Sequence, residues 1–255
     1  ANYNSLQVSF NRKMSRGLAF TSAYTWSHSL DYRSDWHALT GGGSANWANP
    51  NGSSGYSMDP NALYLEYGNS GFDVRHRWTA SVVWELPWLK DQQGAVGKIL
   101  GGWQTNYLAT LQSGFPFTVG ARRDYNGDGI RSDRPDTPSF GNSYGFNNED
   151  FLPGPGGESL MQGLRNQFPA PAAGTNGSLG RNTFRGPGQA LLDFSLFKKI
   201  PISEQVSLQF RAEFFNLFNR VNLYQPVANL ASANFGLSQQ AFDPRVIQFG
   251  LRLSF

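Results

Sequence analysis

From Ile247 to the last residue, apolar side chains occupy every second position: Ile247, Phe249, Leu251, Leu253 and Phe255. Gln248, Gly250, Arg252 and Ser254 fill the gaps. A period of two marks a β-strand with one oily and one wet face. The pattern recurs along the chain. Leu6, Val8 and Phe10 alternate with Gln7, Ser9 and Asn11, which predicts a strand over 3–13. Leu18, Phe20, Tyr24 and Trp26 share a face over 18–29, and Trp78, Ala80, Val82, Trp84 and Leu86 do so over 72–86. Trp103, Tyr107 and Leu111 define 102–112, and Leu192, Phe194 and Leu196 define 188–199. Val206, Leu208, Phe210, Ala212 and Phe214 define 205–217, and the closing strand covers 245–255. Such segments are long enough to cross a bilayer as tilted strands, for which about 9–11 residues suffice. No apolar run approaches the length of a membrane helix.

The connections are sorted by length. Ser15-Arg16-Gly17 and Ile200-Pro201-Ile202-Ser203 are tight, and 87–101 is intermediate. The alternate connections, 30–71, 113–187 and 218–244, are long and rich in Gly, Asn, Ser and Pro. Outer-membrane barrels sort their loops this way, with short periplasmic turns and long extracellular loops, whereas a soluble sandwich has no reason to. The expected fold is all-β: an antiparallel transmembrane β-barrel segment of about seven to eight meander strands, in the bacterial outer membrane. Seven strands with two free edges in hydrocarbon would strand backbone donors and acceptors. The segment is therefore expected to be the C-terminal part of a larger barrel, with 245–255 as an open edge. Tyr3 to Phe10 already reads as mid-strand, so further strands are expected upstream.

Aromatics supply 15% of residues, charged groups another 15%, and there are 29 glycines. Few charges and many rings suit strands with a lipid face. Tyr24 and Trp26 fall at one end of their strand, while Trp84, Trp88 and Trp103 gather around the 87–101 connection, as interfacial aromatic belts would. No cysteine is present, which excludes disulfides and thiolate metal sites. A net charge of +3 without basic clusters gives no reason to expect nucleic acid.

Asp124-Tyr125-Asn126-Gly127-Asp128-Gly129 follows the opening of a calcium loop: oxygen ligands at alternate positions, then a glycine. Ile130 would add its carbonyl, and Asp133 or Asp136 would replace the usual closing glutamate, whose place Pro135 takes. The alternative for the same residues is a turn that binds nothing. His28, His37 and His76 match no zinc spacing, and neither a nucleophile elbow nor a phosphate-binding glycine loop occurs, so an enzyme is not expected. Trp36, Trp47, Tyr56, Tyr64 and Tyr67 in the first long loop either meet a ligand or pack the loop on itself.

Several stretches carry a family resemblance: Tyr3-Asn4-Ser5-Leu6-Gln7, Tyr24-Thr25-Trp26-Ser27, Asn126-Gly127-Asp128-Gly129 with Asp133-Arg134-Pro135, Gly180-Arg181-Asn182 with Arg185-Gly186-Pro187, and Phe215-Asn216-Leu217-Phe218-Asn219 with Asn222. Together they resemble the C-terminal barrel of TonB-dependent receptors of the Oar-like branch. The resemblance implies a barrel of about twenty-two strands, a plug inside it, and energy from the TonB complex through an N-terminal box. Plug and box would lie outside this chain. Gln248, Gly250, Leu253 and Phe255 also resemble the terminal signal of outer-membrane proteins, which implies recognition by the barrel assembly machinery. Two functions compete. One is uptake of a large nutrient such as a glycan, peptide or metal chelate. The other is surface adhesion through calcium-stiffened loops on a membrane anchor.

Overall fold

The computed structural model describes residues 1–34, 57–89, 91–141, 145–203 and 205–255. Trp36, His37, Trp47 and Tyr56 lie outside them. In chain order the strands are β1 (Asn2–Ser15), β2 (Leu18–Asp31), β3 (Gly68–Asn69), β4 (His76–Glu85), β5 (Trp103–Gln112), β6 (Pro116–Phe117), β7 (Phe184–Arg185), β8 (Gln189–Pro201), β9 (Ser207–Phe215) and β10 (Val246–Ser254). One 8-stranded sheet runs in the order β1-β2-β4-β5-β8-β9-β10, with β3 added against β2; β6 and β7 form a separate ribbon. Every pairing is antiparallel between neighbours in the meander. The sheet is open: β1 and β10 do not pair, as part of a larger barrel requires. Among the described residues no helix is long and apolar enough to cross a membrane.

Register sorts the side chains into two faces, because a strand's side chains alternate. Trp26 lies opposite His76, Tyr24 opposite Trp78 and Phe20 opposite Val82. Val82 in turn lies opposite Tyr107, which faces Phe194, which faces Phe214, which faces Ile247. This continuous apolar row is the lipid side, and its rings touch across strands: Tyr107 to Phe194 at 5.1 Å and Phe194 to Phe214 at 5.8 Å. The other face carries Gln7, Thr25, Arg77, Asn106, Asp193, Arg211 and Glu213, which suits a wet lumen. There Arg211 lies over the Phe197 ring at 5.0 Å.

The first hairpin shows why its turn is short. Arg16 and Gly17 both take left-handed backbone angles, φ 54° and 82°, the pair that closes a two-residue hairpin with the twist of its strands. Ser15 and Leu18 pair directly across it. Two expectations need adjustment. The strand expected from 72 begins only at His76: Ser27 N–H still donates to the Arg75 carbonyl at 3.1 Å, but just beyond it Asp73 is drawn into ion pairs with Arg75 and Arg185. The intermediate connection contains a short helix, α1 (Gly94–Leu100).

The largest difference concerns the long excursion over 113–187. It is a folded cap, and it joins the third loop around one hydrophobic core: Phe117, Val119, Phe151, Met161, Phe168 and Leu179 with Phe184, Ala228 and Phe235. Phe117, Phe151, Phe184 and Phe235 are almost fully buried. The wall strands have no comparable core, since one face meets lipid and the other the lumen. Among the described residues, the deepest apolar burial thus sits in what periodicity marks as loops. Each buried ring contributes on the order of 1.5–3 kcal/mol.

Candidate functional site

The cap is fixed to the rim of the sheet by three arginine–carboxylate bolts that join the second loop to the first. Arg134, almost fully buried, donates through Nη1 to both oxygens of Glu66 at 3.0 and 3.1 Å, through Nε to the Leu179 carbonyl at 2.8 Å, and through Nη2 to the Leu65 carbonyl at 2.9 Å. Glu66 also accepts from the Met58 N–H at 2.9 Å. Arg181 pairs with Asp31 at the end of β2 and donates to the Glu66 carbonyl at 2.7 Å. Arg185 pairs with Asp73, whose carboxylate is inaccessible to solvent, and donates to the carbonyls of Asp73 and Gly114. Asp73 accepts in addition from Ser29 N–H at 2.7 Å and from Arg75 at 3.4 Å. Charges this deeply buried hold because every bolt adds backbone hydrogen bonds to the ion pair. Between the bolts, Asn69 and Asn182 exchange side-chain-to-carbonyl bonds at 2.8 and 2.7 Å.

A second corner aligns the closing strand. Asn216 and Asn219 adopt left-handed backbone angles, φ 51° and 52°, which asparagine tolerates better than most residues. Asn216 N–H donates to Asp193 at 2.9 Å, and its amide side chain bridges Arg220 N–H and carbonyl. Asn219 accepts from Arg245 N–H at 3.0 Å, one residue before β10, and Asn222 accepts from Ala190 N–H at 2.9 Å in β8.

The calcium-like turn is ordered by its own amides. Asp124 accepts from Gly127, Asp128 and Gly129 N–H at 2.7, 3.1 and 2.9 Å, and Asp128 accepts from Ile130 N–H at 2.7 Å. Asn126 donates to Asn176 at 2.9 Å and to the Met58 carbonyl at 3.2 Å, tying the turn to the first loop. Asp133 packs behind it, fully buried, and one oxygen accepts from Tyr125 and Asn126 N–H. Its other oxygen has no partner. Burial first, then the charges of Asp128 and Asp124, push the Asp133 carboxyl above the usual range against those two N–H bonds. Asn176 holds the Asp59 carboxyl below it. The turn thus brings Asp124, Asn126, Asp128 and Asp133 together. Asp136 is engaged elsewhere, accepting from Ser178 N–H. Among the described residues no three acidic or histidine side chains gather as metal ligands do.

The cap also carries an open cleft of about 280 Å³ lined by Arg123, Tyr125, Arg165, Asn166, Phe168 and Leu230 among others. Arg165 is braced by the Ser232 and Ala233 carbonyls and by the Phe235 ring at 5.6 Å, whereas Arg123 is solvent-exposed. Of the first loop's aromatics, Tyr67 packs on Tyr32 at 5.0 Å and Tyr64 is exposed. His28 meets Asn69 and His76 meets Tyr24. The lipid-face aromatics stand at two levels: Tyr24 and Trp26 at the long-loop end, Trp84, Trp88 and Trp103 at the short-turn end. From His76 to Trp84 the strand runs roughly 26 Å along its own axis at ~3.3 Å per residue, which a tilt of about 35–45° reduces to roughly 20 Å of height within an apolar band of about 25 Å. Gln248 and Gly250 face the lumen opposite Glu213 and Arg211, and Leu253 faces lipid opposite Leu208; Phe255 follows the strand's end.

The bolts and the phenylalanine core escaped sequence reasoning. Their only signal was the run of arginines in Asp133-Arg134-Pro135, Gly180-Arg181-Asn182 and Arg185-Gly186-Pro187, whose carboxylate partners lie 68, 150 and 112 residues away.

Spanning strands with one lipid-facing row, short turns at one rim and long folded loops at the other define an outer-membrane β-barrel. A family model described as "Outer membrane beta barrel domain" matches residues 1–248, so the chain belongs to that family and to the bacterial outer membrane. No curated protein matches the chain. The family favours a structural or transport role over catalysis.

Proposed function

We propose that this chain is the C-terminal barrel portion of a TonB-dependent receptor that takes up a large nutrient, a glycan, peptide or metal chelate. The observation that carries the reading is the cap. Two loops with a common hydrophobic core, bolted to the rim at Asp31, Glu66 and Asp73, need a wide mouth to stand over. Eight-stranded barrels leave an interior filled by side chains, whereas plugged transporters of about twenty-two strands have such a mouth. The arginines, asparagines and glycines on which the family resemblance rests are the residues that build these bolts and the corner before β10, which supports the same reading.

In that role the cleft beside the calcium-like turn offers guanidinium groups and ring faces, a surface for a ligand with carboxylate or phosphate groups on a sugar or aromatic frame. The test compares deletion of the gene with deletion of the TonB energy coupler in the same host, using labelled glycans, peptides and metal chelates. Loss of uptake of one common ligand in both strains is expected. Unchanged uptake with loss of surface attachment would replace this reading by the adhesion one.

A further inference from the structure

The connection between β4 and β5 does more than turn the chain. It is the longest of the short-turn connections, and α1 within it exposes an apolar stripe that none of the described residues covers. Val96, Ile99 and Leu100 are 63%, 66% and 56% exposed. Their spacing, i, i+3 and i+4, places them on one side of the helix, with Lys98 on the opposite side. Trp88 and Leu89, just before α1, are exposed as well.

This stripe is continuous with the lipid-facing wall. Trp84 on the wall meets Trp88 edge-on at 6.3 Å. Trp103, on the same face as Tyr107, donates its indole N–H to the Ile99 carbonyl at 3.0 Å. Lys198 stands over the Trp103 ring at 5.4 Å and donates to the Gly101 carbonyl, so the end of the helix is tied to β8. The tie requires close backbone approach: a Cβ on Gly101 would lie 1.9 Å from the Leu89 carbonyl oxygen. The connection is therefore a built element, held at a set position beside the wall.

We infer that residues 86–89 and 91–103 form a membrane-surface foot, with α1 lying in the headgroup region of the periplasmic leaflet and Val96, Ile99 and Leu100 turned toward the acyl chains. The occupant is phospholipid. Continuity with the lipid-facing row argues for it, as does the arrangement of one cation opposite one oily stripe. A helix of this kind settles about 5–10 Å into the headgroup and acyl boundary. Indole rings at the same level reinforce the position, since tryptophan prefers the interface. The inference needs only the barrel and stands apart from the receptor reading.

These 255 residues contain no cysteine, so single labels can be placed once any cysteine elsewhere in the full-length protein is replaced by serine. In the full-length protein refolded into phosphatidylcholine–phosphatidylglycerol vesicles, Val96→Cys, Ile99→Cys and Lys98→Cys would each carry an environment-sensitive fluorophore, with folding checked by heat-modifiable migration. The expected result is blue-shifted emission at 96 and 99, lost when the vesicles contain lipids brominated near the top of the acyl chains. The label at 98 is expected to emit as in water and to respond to aqueous iodide instead. Equal water exposure at all three positions would overturn the inference. So would blue-shifted emission at 96 and 99 that brominated lipids do not quench, which would mean that protein covers the stripe.

Discussion

Removing the guanidinium of Arg134 would leave the Glu66 carboxylate buried, with the Met58 N–H its one remaining donor among the described residues, and would free two carbonyls of their donor. Breaking one half of a buried pair costs about 3–5 kcal/mol. Arg134→Met is therefore expected to speed amide exchange across 57–69 and 176–185 by a large factor while the sheet amides keep their protection. Arg134→Lys should rescue only part, because an ammonium on a flexible stem cannot reproduce the four-way fork. Asp133 gives a pH signature. Its carboxyl is raised by burial, so the folded cap binds a proton where the unfolded chain does not. The stability it contributes is fully present below the ordinary carboxylate value of ~3.9 and is lost as pH rises through the raised value. Local opening of 124–134 should accordingly become easier as the medium is brought from acid toward neutral. Asp133→Asn should flatten that dependence, read by amide exchange at several pH values.

At the scale of elements, wall and cap obey different rules, which explains how unevenly the sequence could be read. Alternation is strong when lipid lies on one side and water on the other, so residues such as Phe194, Leu196, Phe210 and Leu251 announced their strands and faces. No strand end lies more than two residues from the place the pattern gives it except the start at His76, four residues late, where Asp73 is claimed by Arg185 and Ser29. The cap left no periodic trace. Phe117 and Phe184 sit in the two-residue ribbon β6–β7, Phe151 in a single short 3-10 turn, and Phe168 and Phe235 in irregular segments; none of these is long enough to show a period, and only their convergence in space makes a core. Helix α1 was equally hidden, being too short to show a helical period. A prediction separates the two parts. Phe184 touches Phe117, Phe140, Phe146 and Phe168 with ring centroids about 6 Å apart, so Phe184→Ala should cost about 3–5 kcal/mol. The loss is expected in the cap alone: protease should cut within 113–187 while the strands stay protected.

For the whole molecule the deciding feature is the pair of free edges. β1 and β10 each present a row of backbone donors and acceptors to the membrane, and hydrocarbon offers them nothing. These 255 residues expressed alone should therefore give no heat-modifiable monomer in vesicles, whereas the same residues joined to strands that complete the ring should. A heat-modifiable monomer from the isolated chain would mean that β1 and β10 can meet.

The three arginine bolts carry one more implication. An extracellular loop attached only at its two ends can swing by itself, and gating by such a loop is inexpensive. Here the first loop is clasped to the second at Asp31, Glu66 and Asp73, and the second shares its phenylalanine core with the third. The fringe over the mouth is thus a single plate. If the chain acts as the receptor proposed above, a ligand that opens the plate would have to lift several hairpins together or deform the wall beneath, and substitutions at the bolts should then change the uptake rate of a labelled ligand while leaving its binding at the surface nearly as it was.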